Sequence, residues 1–125
     1  MQITNYTQAE TYLAGGRNKN DRPLPGNGTR LTRDTDTGDI SVTYHGTPVV
    51  TYHPDGTLTV THGGWKTKTT AERIETYSPL RVDGVLETTW SWHREYVRRG
   101  PDTWNLRTPD GRAAIMEGGT ATLKP

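Results

Sequence analysis

The sequence contains no cysteine and no phenylalanine, and only 30% of its 125 residues are apolar. The first absence excludes disulfides and thiolate metal sites. The second leaves four tryptophans and six tyrosines to supply much of the buried area. Long hydrophobic runs are missing too, and the amino-terminal MQITNYTQAE is too polar for a signal peptide. These features predict a soluble, cytoplasmic protein without a membrane partner. An excess of one charge is also lacking, since 15 Lys and Arg face 14 Asp and Glu for a net charge of +1. That balance argues against a generic nucleic-acid coat protein while leaving room for a local basic patch. The length predicts one domain around one core. With so few apolar residues, a sheet covered on one face, or an oligomer, is expected.

What is present centres on residues 44–77, YHGTPVVTYHPDGTLTVTHGGWKTKTTAERIETY. In His53-Pro54-Asp55-Gly56-Thr57, Pro54 presets the first turn position and Gly56 supplies a left-handed residue, which together make a three-residue hairpin loop. The register then places Tyr52 opposite Leu58, Thr51 opposite Thr59 and Val50 opposite Val60. Val50, Tyr52, Leu58 and Val60 share an apolar face, while Thr51, His53, Thr57 and Thr59 share a polar one. Beyond it, Gly63-Gly64-Trp65 joins strand to helix, and Trp65 reads first as a plug between the two. Thr69-x-x-Glu72 has the spacing of a capping box, and Ser78-Pro79 ends the helix.

The flanks follow the same logic. Thr7-x-x-Glu10 predicts a short helix over 7–14, stopped by Gly15-Gly16. Residues 17–28, RNKNDRPLPGNG, form a basic, Pro- and Gly-rich loop without apolar period. Strands near 29–33, 40–45, 48–53 and 57–62 make a meander, with His45-Gly46-Thr47 as the second loop. Asp83-Gly84 is a hairpin signal between Val82 and Val85, followed by a long alternating strand from Leu86 to Tyr96. Thr108-Pro109-Asp110-Gly111-Arg112 repeats the earlier turn chemistry and pairs Leu106 with Ala114 and Trp104 with Met116. The tail from Gly118 adds an edge strand or frays. The expected fold is therefore α+β: a single domain over 1–125, with a mainly antiparallel β-meander sheet of six or seven strands and two short helices. Its parts are 1–28, a helix and basic loop; 29–80, meander and helix; and 81–125, carboxy-terminal hairpins.

The central pattern His45-x-Thr47-x-Val49-Val50-Thr51, Pro54-Asp55-Gly56, Gly63-Gly64-Trp65-x-Thr67-x-Thr69-Thr70 and Arg73-Ile74 resembles a group of small, mostly uncharacterised proteins. These are encoded by phages and mobile elements of actinobacteria. Arg22-Pro23-Leu24 and Asn27-x-Thr29-Arg30 are similar to that group's lead-in. The resemblance covers about the middle half of the chain, with the part beyond residue 80 outside it. It implies a genetic context and no particular reaction.

Four histidines, His45, His53, His62 and His93, lack the close pairing with a third ligand that zinc sites show, so no metal and no cofactor is expected. Ser91 and His93 fall on one strand face with Glu87 and Glu95. Same-face neighbours on a strand stand roughly 7 Å apart, beyond direct hydrogen-bond reach. With no nucleophile elbow, phosphate loop or carboxylate pair, the chain does not read as an enzyme. It reads as a phage-encoded accessory binding protein, with three candidate partners. The first is a host protein, met at a sheet edge or at the loop 17–28, in host takeover or anti-defence. The second is a small nucleotide ligand held by arginine and a tryptophan face. The third is nucleic acid, gripped by basic residues interleaved with aromatics. The candidate binding residues are Arg17, Arg22, Arg30, Arg33, Trp65, Lys66, Lys68 and Arg73, with Lys19 beside them in the first basic cluster. A second candidate patch comprises Arg94, Tyr96, Arg98, Arg99, Trp104 and Arg107, with Arg112 near by.

Overall fold

A computed structural model describes residues 2–26, 28–62, 68–83, 104–116 and 119–124. The first helix, α1 (Tyr6–Ala14), starts one residue before the expected 7–14, and its cap lies two residues before Thr7. Asn5 is the N-cap, and its Oδ1 accepts from the Gln8 backbone N–H at 2.9 Å. Gln8 Oε1 in turn accepts from Thr4 N at 2.7 Å. Asparagine satisfies the orphan donors before Thr7 is reached, so Thr7 lies inside the helix. Ala9 and Leu13 are its buried residues.

The basic segment 17–28 is more structured than its composition predicts. Its centre is a strand, β1 (Asp21–Pro23), paired antiparallel with β2 (Thr29–Arg33). A tight connection makes this pairing, with Leu24 N donating to Thr29 O at 3.0 Å and Gly26 at a φ of 106°. β3 (Ile40–Tyr44), β4 (Thr47–Tyr52) and β5 (Leu58–Thr61) continue the meander. The β4–β5 register is the one the turn chemistry predicts: Val50 faces Val60, Thr51 faces Thr59 and Tyr52 faces Leu58.

One register departs from expectation. The β3–β4 loop is the two-residue turn His45-Gly46, with φ of 51° and 83°, and not the three-residue loop ending at Thr47. A two-residue turn with both φ positive matches the twist of the flanking strands. The leftover residue is taken up by a bulge after Val42, so Thr43 faces Pro48 and Tyr44 faces Thr47. The bulge allows the adjacent residues Val49 and Val50 both to be fully buried, which strict alternation forbids.

The second helix, α2 (Lys68–Tyr77), begins before Thr69, so Thr69 is not its cap, and it ends ahead of Ser78-Pro79 as expected. Ser78 Oγ closes it by donating to Ile74 O at 2.6 Å. Three further strands, β6 (Arg81–Asp83), β7 (Trp104–Arg107) and β8 (Ala113–Met116), form a separate small sheet. There Leu106 faces Ala114 and Trp104 faces Met116, the register predicted from the second Pro-Asp-Gly turn. The tail supplies β9 (Thr120–Leu123), which pairs with β5 and closes the large sheet in the order β1-β2-β3-β4-β5-β9. The fold is thus α+β and mainly antiparallel, with its described strands divided between two sheets where one was expected. Trp65, the turn and second strand of the hairpin expected after Val82, from Gly84 onward, and the strand from Leu86 to Tyr96 lie outside the described residues.

The two faces of the large sheet differ sharply. Leu31, Ile40, Val42, Val50, Tyr52, Leu58 and Val60 are buried with Leu13 of α1 and Ile74 of α2 in one hydrophobic cluster. On the opposite face, Thr32, Ser41, Thr51, Thr59 and Thr122 stand in register as one row of hydroxyls across five strands. Ser41 and Thr51 share a hydrogen bond of 2.8 Å, as do Thr59 and Thr122. Such contacts between facing hydroxyls hold strand pairs together from the solvent side.

Candidate functional site

The first basic cluster is largely engaged within the protein. Lys19 Nζ donates to Ala14 O at 2.6 Å and Gly16 O at 2.9 Å, at the end of α1 where carbonyls lack partners. Arg22 donates to Tyr12 O at 2.6 Å while its guanidinium lies 4.1 Å over the Tyr12 ring. Arg30 pairs with Asp21 on the neighbouring strand at 2.7 Å. Arg33 reaches Glu10 of α1 at 3.8 Å. Arg17 is exposed in the turn after α1. The arm is therefore a clamp that ties α1 to the sheet edge.

Arg73 is placed differently. It projects from the middle of α2, half-buried, and its Nε donates to Thr29 Oγ1 at 2.9 Å. Its Cζ lies 5.0 Å over the Tyr44 ring, and Tyr44 in turn sits 4.3 Å from the His45 ring. Gly26 closes the corner, since a Cβ there would stand 2.8 Å from Arg73 Nη2. The β1–β2 connection, the β3–β4 turn and α2 thus converge on one guanidinium. Among the described residues it makes no ion pair with a carboxylate, and an aromatic face and a hydroxyl hold it instead. A planar, permanently charged fork in that setting suits a phosphate or carboxylate.

The corner depends on close backbone approach. His45 N donates to Gly28 O at 2.8 Å, and a Cβ on Gly28 would stand 2.4 Å from His45 Nδ1 at a φ of 68°. Gly28→Ala is therefore expected to cost about 1–2 kcal/mol from the left-handed backbone alone. It also displaces His45, and a thermal melt compared with that of Gly46→Ala, where the space is open, separates the two contributions.

Of the remaining candidates, Lys68 opens α2, Trp104 opens β7 and Arg107 ends it, exposed and opposite Arg81. Arg112 turns back on Asp110 at 2.9 Å and donates to Lys124 O at 3.1 Å. Trp65, Lys66, Arg94, Tyr96, Arg98 and Arg99 lie outside the described residues. Sequence reasoning passed over Tyr44 and Tyr12, the rings on which the two arginines rest. The signal was there for Tyr44, which precedes a two-residue turn and faces the β1–β2 connection through Thr29.

A second polar array sits at the other end of the sheet. His53 Nδ1 is 2.9 Å from Asp39 Oδ1, and His53 Nε2 is 2.7 Å from Thr59 Oγ1. Two carboxyls near turns are held below the usual carboxylate range. The Thr57 hydroxyl and backbone N–H do this for Asp55, and the Thr108 hydroxyl and Arg112 for Asp110. Burial pushes the Tyr77 phenol up, against the opposing charge of Arg73. Among the described residues no three His, Asp or Glu side chains converge as metal ligands would.

A family model for the Kyanoviridae Gp96 protein matches residues 6–107. The chain belongs to that family. The match takes in α1, the meander, α2 and the first two strands of the small sheet, and so runs well past residue 80, where the motif resemblance stopped. It supports a phage protein family and does not extend to an actinobacterial source. No curated protein and no solved structure matches the chain. Among the described residues no helix is long and apolar enough to cross a membrane.

Proposed function

We propose that this phage protein is a non-enzymatic accessory protein that acts inside the host by binding, and that its Arg73 corner receives a phosphate group of a small nucleotide. The observation that carries this reading is the guanidinium of Arg73, half-buried, stacked on Tyr44 and bonded to Thr29. Stacking and one hydrogen bond fix the plane of the fork, so little side-chain freedom remains to be lost when an anion docks. The glycines at 26 and 28 let the Arg73 guanidinium and the His45 ring lie close against the backbone. By contrast, the nucleic-acid reading finds little support in the first basic cluster, whose cations already serve α1 and the sheet edge.

The test is a thermal-shift and calorimetry panel of mononucleotides, cyclic nucleotides and inorganic phosphate. A shift specific to one nucleotide class is expected. Arg73→Gln should weaken that binding roughly ten- to a hundredfold, the worth of one charge-assisted hydrogen-bonded contact. Arg73→Lys restores the charge but not the fork, and recovers only part. No shift across the panel, or equal binding by Arg73→Gln, would remove the reading.

A host protein target remains a second reading because the two edges of the large sheet are unlike. β1 carries Asp21, Arg22 and Pro23, the residues with which proteins blunt an edge. β9, Thr120-Ala121-Thr122-Leu123, has neither charge nor proline, and among the described residues it pairs in the sheet with β5 alone. Such an edge can accept a strand from a partner. One host chain co-purifying in stoichiometric amount after nuclease treatment supports this reading, and an empty purification removes it.

A further inference from the structure

Asp39, His53 and Thr59 form a hydrogen-bonded line on the polar face of the large sheet, at the opposite end of its strands from the Arg73 corner. We propose that this line makes the Thr59 hydroxyl a nucleophile that accepts an acyl group from an activated ester, in one stoichiometric transfer.

The direction of each hydrogen bond follows from what the groups can donate. An ionised carboxylate only accepts, so His53 Nδ1–H donates to Asp39 Oδ1, 2.9 Å away. That fixes the tautomer and leaves Nε2 as an acceptor, 2.7 Å from Thr59 Oγ1, so the Thr59 hydroxyl donates to the ring. Thr122 Oγ1, 2.8 Å on the other side of Thr59, then supplies its own proton to the Thr59 oxygen. The order carboxylate, imidazole, hydroxyl is the arrangement that activates a nucleophile, recognised by geometry and roles and not by chain order.

Each member is positioned by backbone. Asp39 follows Gly38, whose φ of 82° and bond from its N–H to Asp34 O at 2.8 Å close the β2–β3 turn. Asp39 N also donates to Thr37 Oγ1 at 3.2 Å. His53 opens the Pro-Asp-Gly turn, where its N–H donates to Thr57 O and its carbonyl accepts from Gly56 N, both at 3.0 Å. Thr59 sits in mid-strand opposite Thr51. The charged groups facing His53 are Asp39 and, in its own turn, Asp55. The His53 and Asp39 side chains remain about a quarter exposed, at 24% and 26%, so a solvent-borne ester can reach the line.

In the step itself, Thr59 Oγ1 attacks the acyl carbon and an O–C bond forms while its proton passes to His53 Nε2. The bond from the acyl carbon to the leaving oxygen breaks, and that oxygen takes the proton from the imidazolium or leaves as the anion. Nothing is oxidised or reduced. Thr59 is the group that touches substrate, His53 is the general base and Asp39 is a positioning residue. Among the described residues no element lies over this face to hold a second reactant, so the expected product is an acyl-threonine and not a turnover cycle.

The test uses the full chain with para-nitrophenyl acetate, following nitrophenolate release and mapping the acetyl group by peptide mass spectrometry. One equivalent on the Thr59 peptide is expected, with a rate that rises with pH because a general base acts only when unprotonated. His53→Gln should slow it at least roughly a hundredfold, the usual worth of a general base, and added imidazole should restore part of the rate to His53→Gly. Asp39→Asn should lower the rate and alter the pH profile while leaving the melting temperature near that of the parent. Thr51, on the same row but bonded to Ser41, serves as the internal control. Acetylation of Thr51 at the rate of Thr59, acetyl confined to lysines, or an unchanged rate in a folded His53→Gln protein would each overturn the proposal.

Discussion

Tyr52→Ala is expected to lower the unfolding free energy by about 3–5 kcal/mol, as large-to-small changes of aromatic core residues do. Tyr52 is 1% exposed and, among the described residues, has the largest of the fully buried side chains. Its ring fills the space between the large sheet and the helices, and its hydroxyl donates to Tyr77 O at the end of α2. Ile3 O lies at 3.5 Å on the other side. The residue therefore joins β4 to the last turn of α2 and to the segment before α1. Tyr52→Phe separates the two contributions. It keeps the ring but leaves the Tyr77 carbonyl without its donor, at about 1–3 kcal/mol. Denaturant titrations of the three proteins read both numbers.

The same residue predicts an alkaline limb. Burial, and secondarily Tyr77, pushes the Tyr52 phenol well above its ordinary value of 10.0. The folded state thus holds this proton more tightly than the unfolded state does. Its contribution to stability is complete below the unfolded phenol value and is lost as pH climbs above it. Tyr77, also raised by burial, adds in the same direction. Tyr52→Phe should accordingly show a shallower fall in stability above about pH 10. An alkaline limb as steep as that of the parent would refute the assignment.

Arg22→Ala is expected to cost about 2–3 kcal/mol of stability and to leave ligand binding at Arg73 unchanged. The residue was a candidate ligand contact on sequence grounds, and its surroundings assign it a different task. A charged hydrogen bond to Tyr12 O is worth about 1.5–3 kcal/mol, and the cation over the Tyr12 ring adds about 0.5–2 kcal/mol. Its stem also lies against Gly15 and Gly16, where an added Cβ would stand 3.0 Å from Arg22 atoms. Arg17→Ala, by contrast, removes an exposed side chain and should change stability by less than about 0.5 kcal/mol. Equal effects from the two substitutions would mean that the clamp does not hold α1.

The legible parts of this fold were those fixed by turn chemistry. Both Pro-Asp-Gly turns set a register that the structure reproduces, from Val50 opposite Val60 to Trp104 opposite Met116. The β3–β4 turn was misread because a three-residue loop and a two-residue turn with a bulge place Val42 opposite Val50 equally well. Only the burial of both Val49 and Val50 separates them. The strand β1 escaped notice because Asp21-Arg22-Pro23 has no apolar alternation, and an edge strand needs none. Arg73 was legible as a candidate, but its stacking on Tyr44 was not, since that contact joins a helix to a turn 29 positions earlier in the chain. The Asp39–His53 contact was within reach: Ile40 opposite Tyr52 puts the preceding and following residues side by side. It was missed because the carboxylate precedes β3, the imidazole follows β4 and the hydroxyl lies within β5, a pattern no local spacing displays.

The contrast between β1 and β9 also bears on how this protein can grow. A sheet with both edges open can add neighbours without limit and ends as a fibre. Here proline and charge blunt one edge, and among the described residues β9 pairs in the sheet with β5 alone, so extension has a single direction. When the strand added at β9 is the β9 of another copy, both open ends are consumed in that one step. Edge-to-edge association through that strand then halts at a pair.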